Sequence, residues 1–196
     1  RPEHFRARLG ETLVDIRLNI AGRHSVRNAL AAAACTLALG VPVEAIVRSL
    51  AAFEPVNGRL RRTHTAQGVP LIDDTYNANP DSMRAAIDVL ADQPAPRLLV
   101  MGDMGETGAQ AEAFHREVGE YAVSRAIEQV WAVGKDMKAA AQAGGVQHWE
   151  TVEALLAEHL QAPAGIASIL VKGSRFMKME RVVRAWVDMA SPQGEH

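Results

Sequence analysis

The sequence predicts an α/β protein whose main sheet is mostly parallel and carries helices on both faces. Five short apolar runs rich in branched residues recur between residues 69 and 171, and a segment of helical periodicity follows each run. Five strand–helix units in succession favour a parallel sheet with right-handed crossovers. The first twenty residues differ, because apolar and polar residues alternate there as in a half-buried strand.

The segment before the α/β repeat predicts a β-hairpin followed by two helices. Phe5 to Leu9 is expected to pair with the alternating residues 14–20. Because an isolated two-stranded hairpin is only marginally stable, we expect other sequence to supply the rest of its sheet. Ser25 is predicted to cap the first helix, which ends at Gly40, and Pro42 suits the first turn of the second helix.

A cluster of turn-forming residues, Glu54-Pro55-Val56-Asn57-Gly58, predicts a domain boundary. We therefore expect one domain or remnant over residues 1–54 and another over residues 55–196. In the second, the predicted strands are 69–72, 98–101, 130–133, 146–149 and 169–171, and the predicted helices are 80–91, 110–126, 136–143, 151–160 and 176–189. Ligands bind outside the carboxyl ends of parallel strands. The polar loops after the first, second and fifth strands are thus expected to converge on one functional rim.

Composition argues against several classes of function. The chain has 48% hydrophobic residues, 22% charged residues and a formal net charge of −2, which gives no electrostatic argument for nucleic acid or an anionic membrane as partner. The run Ala29 to Leu39 is too short to cross a bilayer, and no signal segment opens the sequence. The single cysteine, Cys35, excludes an internal disulfide, and its alanine-rich surroundings predict a buried side chain. We expect a soluble cytoplasmic protein without a structural zinc site.

Two adjacent carboxylates end the first predicted strand of the α/β domain. Asp73 and Asp74 are suited to accept hydrogen bonds from sugar hydroxyls or to bind a metal. The alternative is that one of them satisfies loop amides in an Asx-type turn. Asn79 precedes Pro80, which is the pattern of a helix N-cap followed by proline at the first helical position.

Basic residues occupy two other predicted loops. Arg59 follows Gly58 at the predicted boundary, where its planar guanidinium suits a phosphate, although an ordinary surface arginine is the simpler interpretation. Lys172-Gly173-Ser174-Arg175 precedes the last predicted helix. Helix-terminal amides beside two cations are typical of an anion site, and a helix start with incidental charge is the alternative.

Three features favour structural roles over chemistry. His24 and Asn28 lie one turn apart on the first predicted helix, an arrangement more often used for capping or solvent contact. His115 is predicted to be a packed or exposed helical residue. Met177, Met179 and Met189 predict core packing. The chain contains no Gly-x-x-x-x-Gly-Lys-Ser/Thr phosphate loop, so a phosphate cradle for ATP is expected elsewhere.

Five ordered strings resemble the Mur ligase family. They are Gly22-Arg23-His24-Ser25-Val26-Arg27-Asn28-Ala29-Leu30-Ala31-Ala32, Pro55-Val56-Asn57-Gly58-Arg59-Leu60, Ile72-Asp73-Asp74-Thr75-Tyr76-Asn77-Ala78-Asn79-Pro80-Asp81-Ser82-Met83, Gly102-Asp103-Met104-Gly105-Glu106-Thr107-Gly108 and Leu170-Val171-Lys172-Gly173-Ser174-Arg175. The first two are shared with the related folylpolyglutamate synthetases. The Tyr-Asn-Ala-Asn-Pro and Lys-Gly-Ser-Arg strings resemble the MurF branch, which joins D-Ala-D-Ala to UDP-MurNAc-tripeptide in peptidoglycan precursor synthesis.

The resemblance implies three domains: one for the UDP-sugar, a central P-loop ATPase and a Rossmann-like C-terminal domain. Residues 1–54 would be the end of the central domain, and residues 55–196 the C-terminal domain. The partners would be the two substrates and the missing domains of the same protein, without nucleic acid or membrane insertion, in a monomer. The expected cofactors are ATP and Mg²⁺. The family's magnesium ligands and modified lysine would lie upstream, so no metal ligand is assigned to this chain, which is expected to be inactive alone.

Site roles also follow from the resemblance. Asn28 would contact adenine with His24 beside it, Arg59 would approach the ATP phosphates, and Asp74 would hold the ribose or orient the nucleotide. Asp74 is preferred to Asp73 because it keeps the family's spacing to Tyr-Asn-Ala-Asn-Pro. The residues expected near the incoming dipeptide are Asn77, Asn79, Lys172, Ser174 and Arg175. Ser25 replaces the family's usual Asn, which puts one nucleotide contact in question.

The implied reaction forms an acyl phosphate on the tripeptide carboxylate, which the amine of D-Ala-D-Ala then attacks. Such chemistry depends on charge neutralisation and positioning more than on a protein nucleophile. Two alternatives remain open at this point. One is a ligase that resembles folylpolyglutamate synthetase, and the other is a non-catalytic α/β module that binds a nucleotide or peptide.

Overall fold

The computed structural model describes residues 3–188, and its contacts divide the chain between Val56 and Asn57 into two units. In the first unit, β1 (Glu3–Leu9) and β2 (Thr12–Leu18) form an antiparallel hairpin, followed by α1 (Arg23–Ala38) and α2 (Val43–Ala51). The alternating pattern is borne out, since Ile16 and Leu18 on β2 are buried. They pack with Ala29 of α1, and a neighbouring cluster joins Leu9 of β1 to Ala33 of α1 and Ile46 of α2.

Two predictions for α1 are wrong. The helix begins two residues before Ser25, and Gly22 is its N-cap with φ 100°, a conformation that favours glycine. Ser25 is buried, and its Oγ donates to the Ala21 carbonyl at 2.8 Å instead of accepting from a first-turn amide. Cys35 is exposed. The core-facing residue Ala33 lies two positions earlier, and residues two apart on a helix do not share a face.

The second unit is built on a six-stranded sheet. Its elements are β3 (Arg61–His64), β4 (Pro70–Asp74), α3 (Pro80–Ala91), β5 (Arg97–Gly102), α4 (Ala111–Ser124), β6 (Gln129–Val133), β7 (Val146–Trp149), α5 (Val152–Glu158), β8 (Ser168–Lys172) and α6 (Glu180–Val187). The strand order is β3-β4-β8-β5-β6-β7. All neighbours pair in parallel except β3 with β4. The prediction of a mainly parallel α/β sheet is therefore confirmed.

Side chains alternate between the two faces of this sheet. Leu98 and Val100 belong to one buried cluster with Trp186 of α6 and Leu155 of α5. Leu99, between them, is also fully buried and points to the opposite face, where α3 contacts β5 and β8 and α4 contacts β6. Helices on both faces explain why these strands are continuous apolar runs.

Three details differ from the sequence predictions. The edge strand β3 was not predicted, because Arg61-Arg62-Thr63-His64 is polar and largely exposed. Residues 136–143 form a 3₁₀ helix instead of an α-helix. The last predicted helix is split into a 3₁₀ turn, Arg175–Met177, and α6, because Lys178 adopts a left-handed conformation with φ 51°. The predicted end at Met189 lies outside the described residues.

Candidate functional site

The carboxyl ends of β4, β8 and β5 lie side by side, because β8 pairs in parallel with both neighbours. The polar loops that follow these three strands therefore meet on one rim, as the sequence predicted. We refer to residues 57–60, 73–79, 103–106 and 172–176 as the rim.

Ser174 ties the three loops of the rim together. Its side chain is buried, and its Oγ donates to the Ala78 carbonyl at 3.1 Å while accepting from the Gly105 amide. Its own amide donates to the Asp103 carbonyl at 3.0 Å. The hydroxyl thus bridges the loops after β4 and β5 from the loop after β8.

Lys172 and Asp74 form a buried ion pair across β8 and β4. The Lys172 Nζ lies 2.6 Å from Asp74 Oδ2, and the two side chains are 3% and 14% exposed. The same ammonium donates to the Asn77 carbonyl at 2.8 Å. Asp74 Oδ1 accepts from the Leu60 amide at 3.1 Å. Two of the predicted site residues therefore bind each other and hold the backbone around them.

Asp73 follows the Asx-turn alternative. Its Oδ1 accepts from the Thr75 amide at 3.2 Å and the Thr75 hydroxyl at 2.7 Å, and its Oδ2 accepts from the Gly58 amide at 3.2 Å. The side chain is buried, so its carboxylate stabilises the loop conformation through these hydrogen bonds. The turn that carries Arg59 is therefore gripped from both sides: the Gly58 amide donates to Asp73 and the Leu60 amide donates to Asp74.

That turn is conformationally demanding. Gly58 has φ 75°, and a Cβ there would lie 3.0 Å from the Tyr76 nitrogen, whose amide donates to the Gly58 carbonyl at 2.9 Å. Leu60 has φ 53°, a conformation that costs a leucine energy. The hydrogen bonds from Gly58 and Leu60 to the two aspartates stabilise this geometry. As a result, Arg59 projects from a fixed turn and is exposed.

Two arginines meet on the ring of Tyr76. The Arg59 Cζ lies 4.2 Å from the ring centroid and the Arg175 Cζ lies 5.3 Å from it. Tyr76 is 42% exposed. The sequence interpretation did not single out Tyr76. Its only signal was its place inside the Tyr-Asn-Ala-Asn-Pro string.

The remaining predicted residues of the second unit divide into exposed and structural ones. Asn77 is exposed, and its carbonyl accepts from Lys172. Asn79 caps α3: its Oδ1 accepts from the Ser82 amide at 2.8 Å, and the Ser82 hydroxyl accepts from the Asn79 amide at 3.0 Å. The capping pattern read from Asn79-Pro80 is confirmed, and α3 has the predicted bounds.

The loop after β5 is supported from beneath by two buried polar side chains. His115 accepts from the Met104 amide through Nε2 at 2.9 Å and donates through Nδ1 to the Ala111 carbonyl at 2.6 Å. It is a packed helical residue, one of the two alternatives predicted. Asp103 accepts from the Met137 amide at 2.7 Å, and burial raises the pKa of its carboxyl.

His24 and Asn28 lie in the first unit, on α1. Asn28 is exposed, and His24 is half-buried with its Nε2 3.3 Å from Ser25 Oγ. The spacing places both on one helix face.

A cavity of about 370 Å³ adjoins the rim between β3 and α6. Its lining includes Tyr76 and Arg175 at the rim, and Arg61, Arg184 and Glu180 further along. Across residues 3–188, no group of three or more His, Cys, Asp or Glu side chains is arranged to hold a metal ion. Within the same residues, no helix is long and apolar enough to cross a membrane.

Comparison with known proteins gives consistent matches. The family model described as Mur ligase, glutamate ligase domain, matches residues 58–175. A UDP-N-acetylmuramoyl-tripeptide–D-alanyl-D-alanine ligase of Escherichia coli K12 is 46% identical over 175 residues, which cover 88% of this chain and 39% of the relative.

Two crystal structures are also similar. MurF from Acinetobacter baumannii has a TM-score of 0.84 at 35% identity, covering 95% of this chain and 42% of that one. MurF from Thermotoga maritima in complex with ADP has a TM-score of 0.75 at 25% identity, covering 90% and 41%. The chain therefore spans about two fifths of the length of these relatives.

Proposed function

This chain belongs to the Mur ligase family, and from that premise we propose that it is the C-terminal part of an ATP-dependent ligase that joins D-Ala-D-Ala to UDP-MurNAc-tripeptide. The observation that carries the proposal is the exposed Arg59 on a turn gripped by Asp73 and Asp74. The name of the Escherichia coli relative supports the choice of substrates. On this proposal, residues 1–54 are the end of the central ATPase domain.

ATP, when bound, supplies the phosphoryl group that turns the tripeptide carboxylate into an acyl phosphate. The exposed guanidinium of Arg59 fits a phosphate, because its planar fork pairs with two oxygens. Asp74 acts by orienting the Arg59 turn through the Leu60 amide, since its oxygens accept from Leu60 and Lys172. Asn28 and His24 contact the adenine end of the nucleotide.

Asp73 and Asp74 do not fit a magnesium site. Asp73 and Asp74 accept bonds from backbone amides, a hydroxyl and an ammonium, so neither presents an open oxygen set. We therefore assign the Mg²⁺ ligands of the proposed ligase to the central domain.

The dipeptide is held on the same rim. Arg175 and the exposed side chain of Asn77 face it directly, whereas Lys172, Ser174 and Asn79 shape the backbone around it. These residues neutralise charge and position the amine for attack on the acyl phosphate, which is the main need of this chemistry. The ligase works in the cytoplasm as a monomer.

The test is a ligation assay on the protein that contains the preceding ATPase and UDP-sugar domains. We expect ATP-dependent product only with UDP-MurNAc-tripeptide plus D-Ala-D-Ala, and none with a folate plus glutamate. We also expect no turnover by the 196 residues alone. Activity on the folate would support a synthetase of that type instead. A lack of ligation with either pair would favour the non-catalytic binding module.

A further inference from the structure

Arg59 and Arg175 come from separate loops, yet both guanidinium groups contact one aromatic ring. We propose that they form a single oxyanion-binding pair and that Tyr76 is the positioning residue for both. Only the identity of the anion rests on the proposed function. That function offers two natural sources, which are a nucleotide phosphate and the carboxylate of the incoming dipeptide.

Neither arginine on the Tyr76 ring is held in an ion pair with another described residue. Among the ion pairs within residues 3–188, none includes Arg59 or Arg175. Their Cζ atoms lie 4.2 and 5.3 Å from the same centroid, so their separation is below the sum of these distances. Two like charges at that range repel, and an anion between them relieves the repulsion.

The carboxylates nearest in sequence are not available to supply that anion. Asp73 is buried and accepts from Thr75 and Gly58, and Asp74 is paired with Lys172. The pair is therefore suited to an external oxyanion.

The backbone on each side of the pair is held in place. Arg59 lies in the turn gripped by the two aspartates, and the Tyr76 amide donates to the Gly58 carbonyl of that turn. Arg175 follows Ser174, whose buried hydroxyl bridges Ala78 and Gly105. Only the long arginine side chains remain to be ordered. The aromatic ring attracts both cations and orders them without neutralising their charge.

The ring, and not the phenol hydroxyl, carries the proposed role. Tyr76→Phe keeps the cation–π contacts, whereas Tyr76→Leu removes them and leaves a smaller apolar side chain. At an exposed site each contact contributes enough to change binding about two- to fivefold. Losing both weakens anion binding about tenfold.

The experiment follows the arginine Nε–Hε NMR signals of the 196-residue chain during titration with inorganic pyrophosphate and, separately, with D-Ala-D-Ala. We expect the Arg59 and Arg175 signals to shift together with one dissociation constant for at least one of the two probes. A response to pyrophosphate assigns the pair to phosphate, and a response to the dipeptide assigns it to carboxylate. Arg48→Gln is the control, because Arg48 is an exposed arginine of the first unit.

The variants decide the role of Tyr76. Tyr76→Phe and Arg48→Gln are expected to stay within twofold of the parent dissociation constant, whereas Tyr76→Leu and Arg175→Gln weaken it about tenfold. The proposal is overturned if Tyr76→Phe and Tyr76→Leu have equal dissociation constants. It is also overturned if the two arginine signals titrate independently. The absence of a shift with either probe overturns it as well. The ligation assay on the longer protein is read separately, so failure of the pair and failure of the proposed function are distinguishable.

Discussion

The buried Lys172–Asp74 ion pair leads to a quantitative prediction about stability. Lys172→Met keeps an unbranched side chain but removes the ammonium from beside the Asp74 carboxylate, which is 14% exposed in the parent protein. Removing one partner of a buried pair costs about 3–5 kcal/mol. Because Asp74 keeps some solvent contact and its bond from the Leu60 amide, we expect about 3 kcal/mol, the lower end.

A double-mutant cycle separates the pair from its surroundings. Asp74→Asn retains an oxygen for the Leu60 amide but removes the charge, and we expect it to cost about 3 kcal/mol in the presence of Lys172, which keeps its bond to the Asn77 carbonyl. Combined with Lys172→Met, it leaves no uncompensated buried charge, so the double variant is expected to lose only about 3 kcal/mol. The coupling energy is therefore about 3 kcal/mol.

Urea unfolding followed by tryptophan fluorescence is the assay. Trp131, Trp149 and Trp186 all lie in the second unit, so the signal reports the unit that contains the pair. The control cycle removes the exposed Arg116–Glu112 pair of α4, whose coupling is expected to be below about 0.5 kcal/mol. The predicted stabilisation by the ion pair is refuted if the effects of Lys172→Met and Asp74→Asn are additive. It is also refuted if their coupling energy is no larger than that of the control cycle.

Three further predictions concern the site and the fold. In the longer ligase, Arg59→Ala should lower the catalytic rate about a hundredfold or more because a charge-assisted phosphate contact is lost, and an unchanged rate contradicts its role. The Arg97 guanidinium lowers the pKa of Glu128 to about 2. The contribution of the Arg97–Glu128 bond to the free energy of unfolding is therefore complete above pH 4.5, the ordinary pKa of a glutamate. It is lost as the pH falls toward 2. Allowing for solvent screening, Glu128→Gln should remove about 1 kcal/mol at pH 7 and almost nothing at pH 2, measured by urea midpoints. Within residues 3–188, Ser168 Oγ is buried and has no hydrogen-bond partner, so Ser168→Ala should leave stability unchanged or raise it by about 1 kcal/mol. Ser174→Ala should instead cost about 1–3 kcal/mol. A loss of stability in Ser168→Ala would show that this hydroxyl has a partner.

Local patterns were sufficient for much of the fold. The bounds of α3 follow from Asn79-Pro80 and the apolar spacing after it, because capping and helix entry depend on neighbouring residues. Each buried strand of the parallel sheet stands out as a run of branched residues, since burial on both faces removes polar residues. The edge strand β3 escaped prediction because its exposed, polar residues carry no such signal.

The sequence by itself determined the fold class, the positions of the buried strands and the loops that form the rim, because these depend on burial periodicity within a few residues. The tertiary structure decided how the candidate residues are used. β8 lies between β4 and β5, which pairs Lys172 with Asp74 and lets Ser174 join two loops. It also sets Arg59 and Arg175 on Tyr76. These partners lie up to about a hundred residues apart in the chain, and such contacts arise only when whole strands pack in one order.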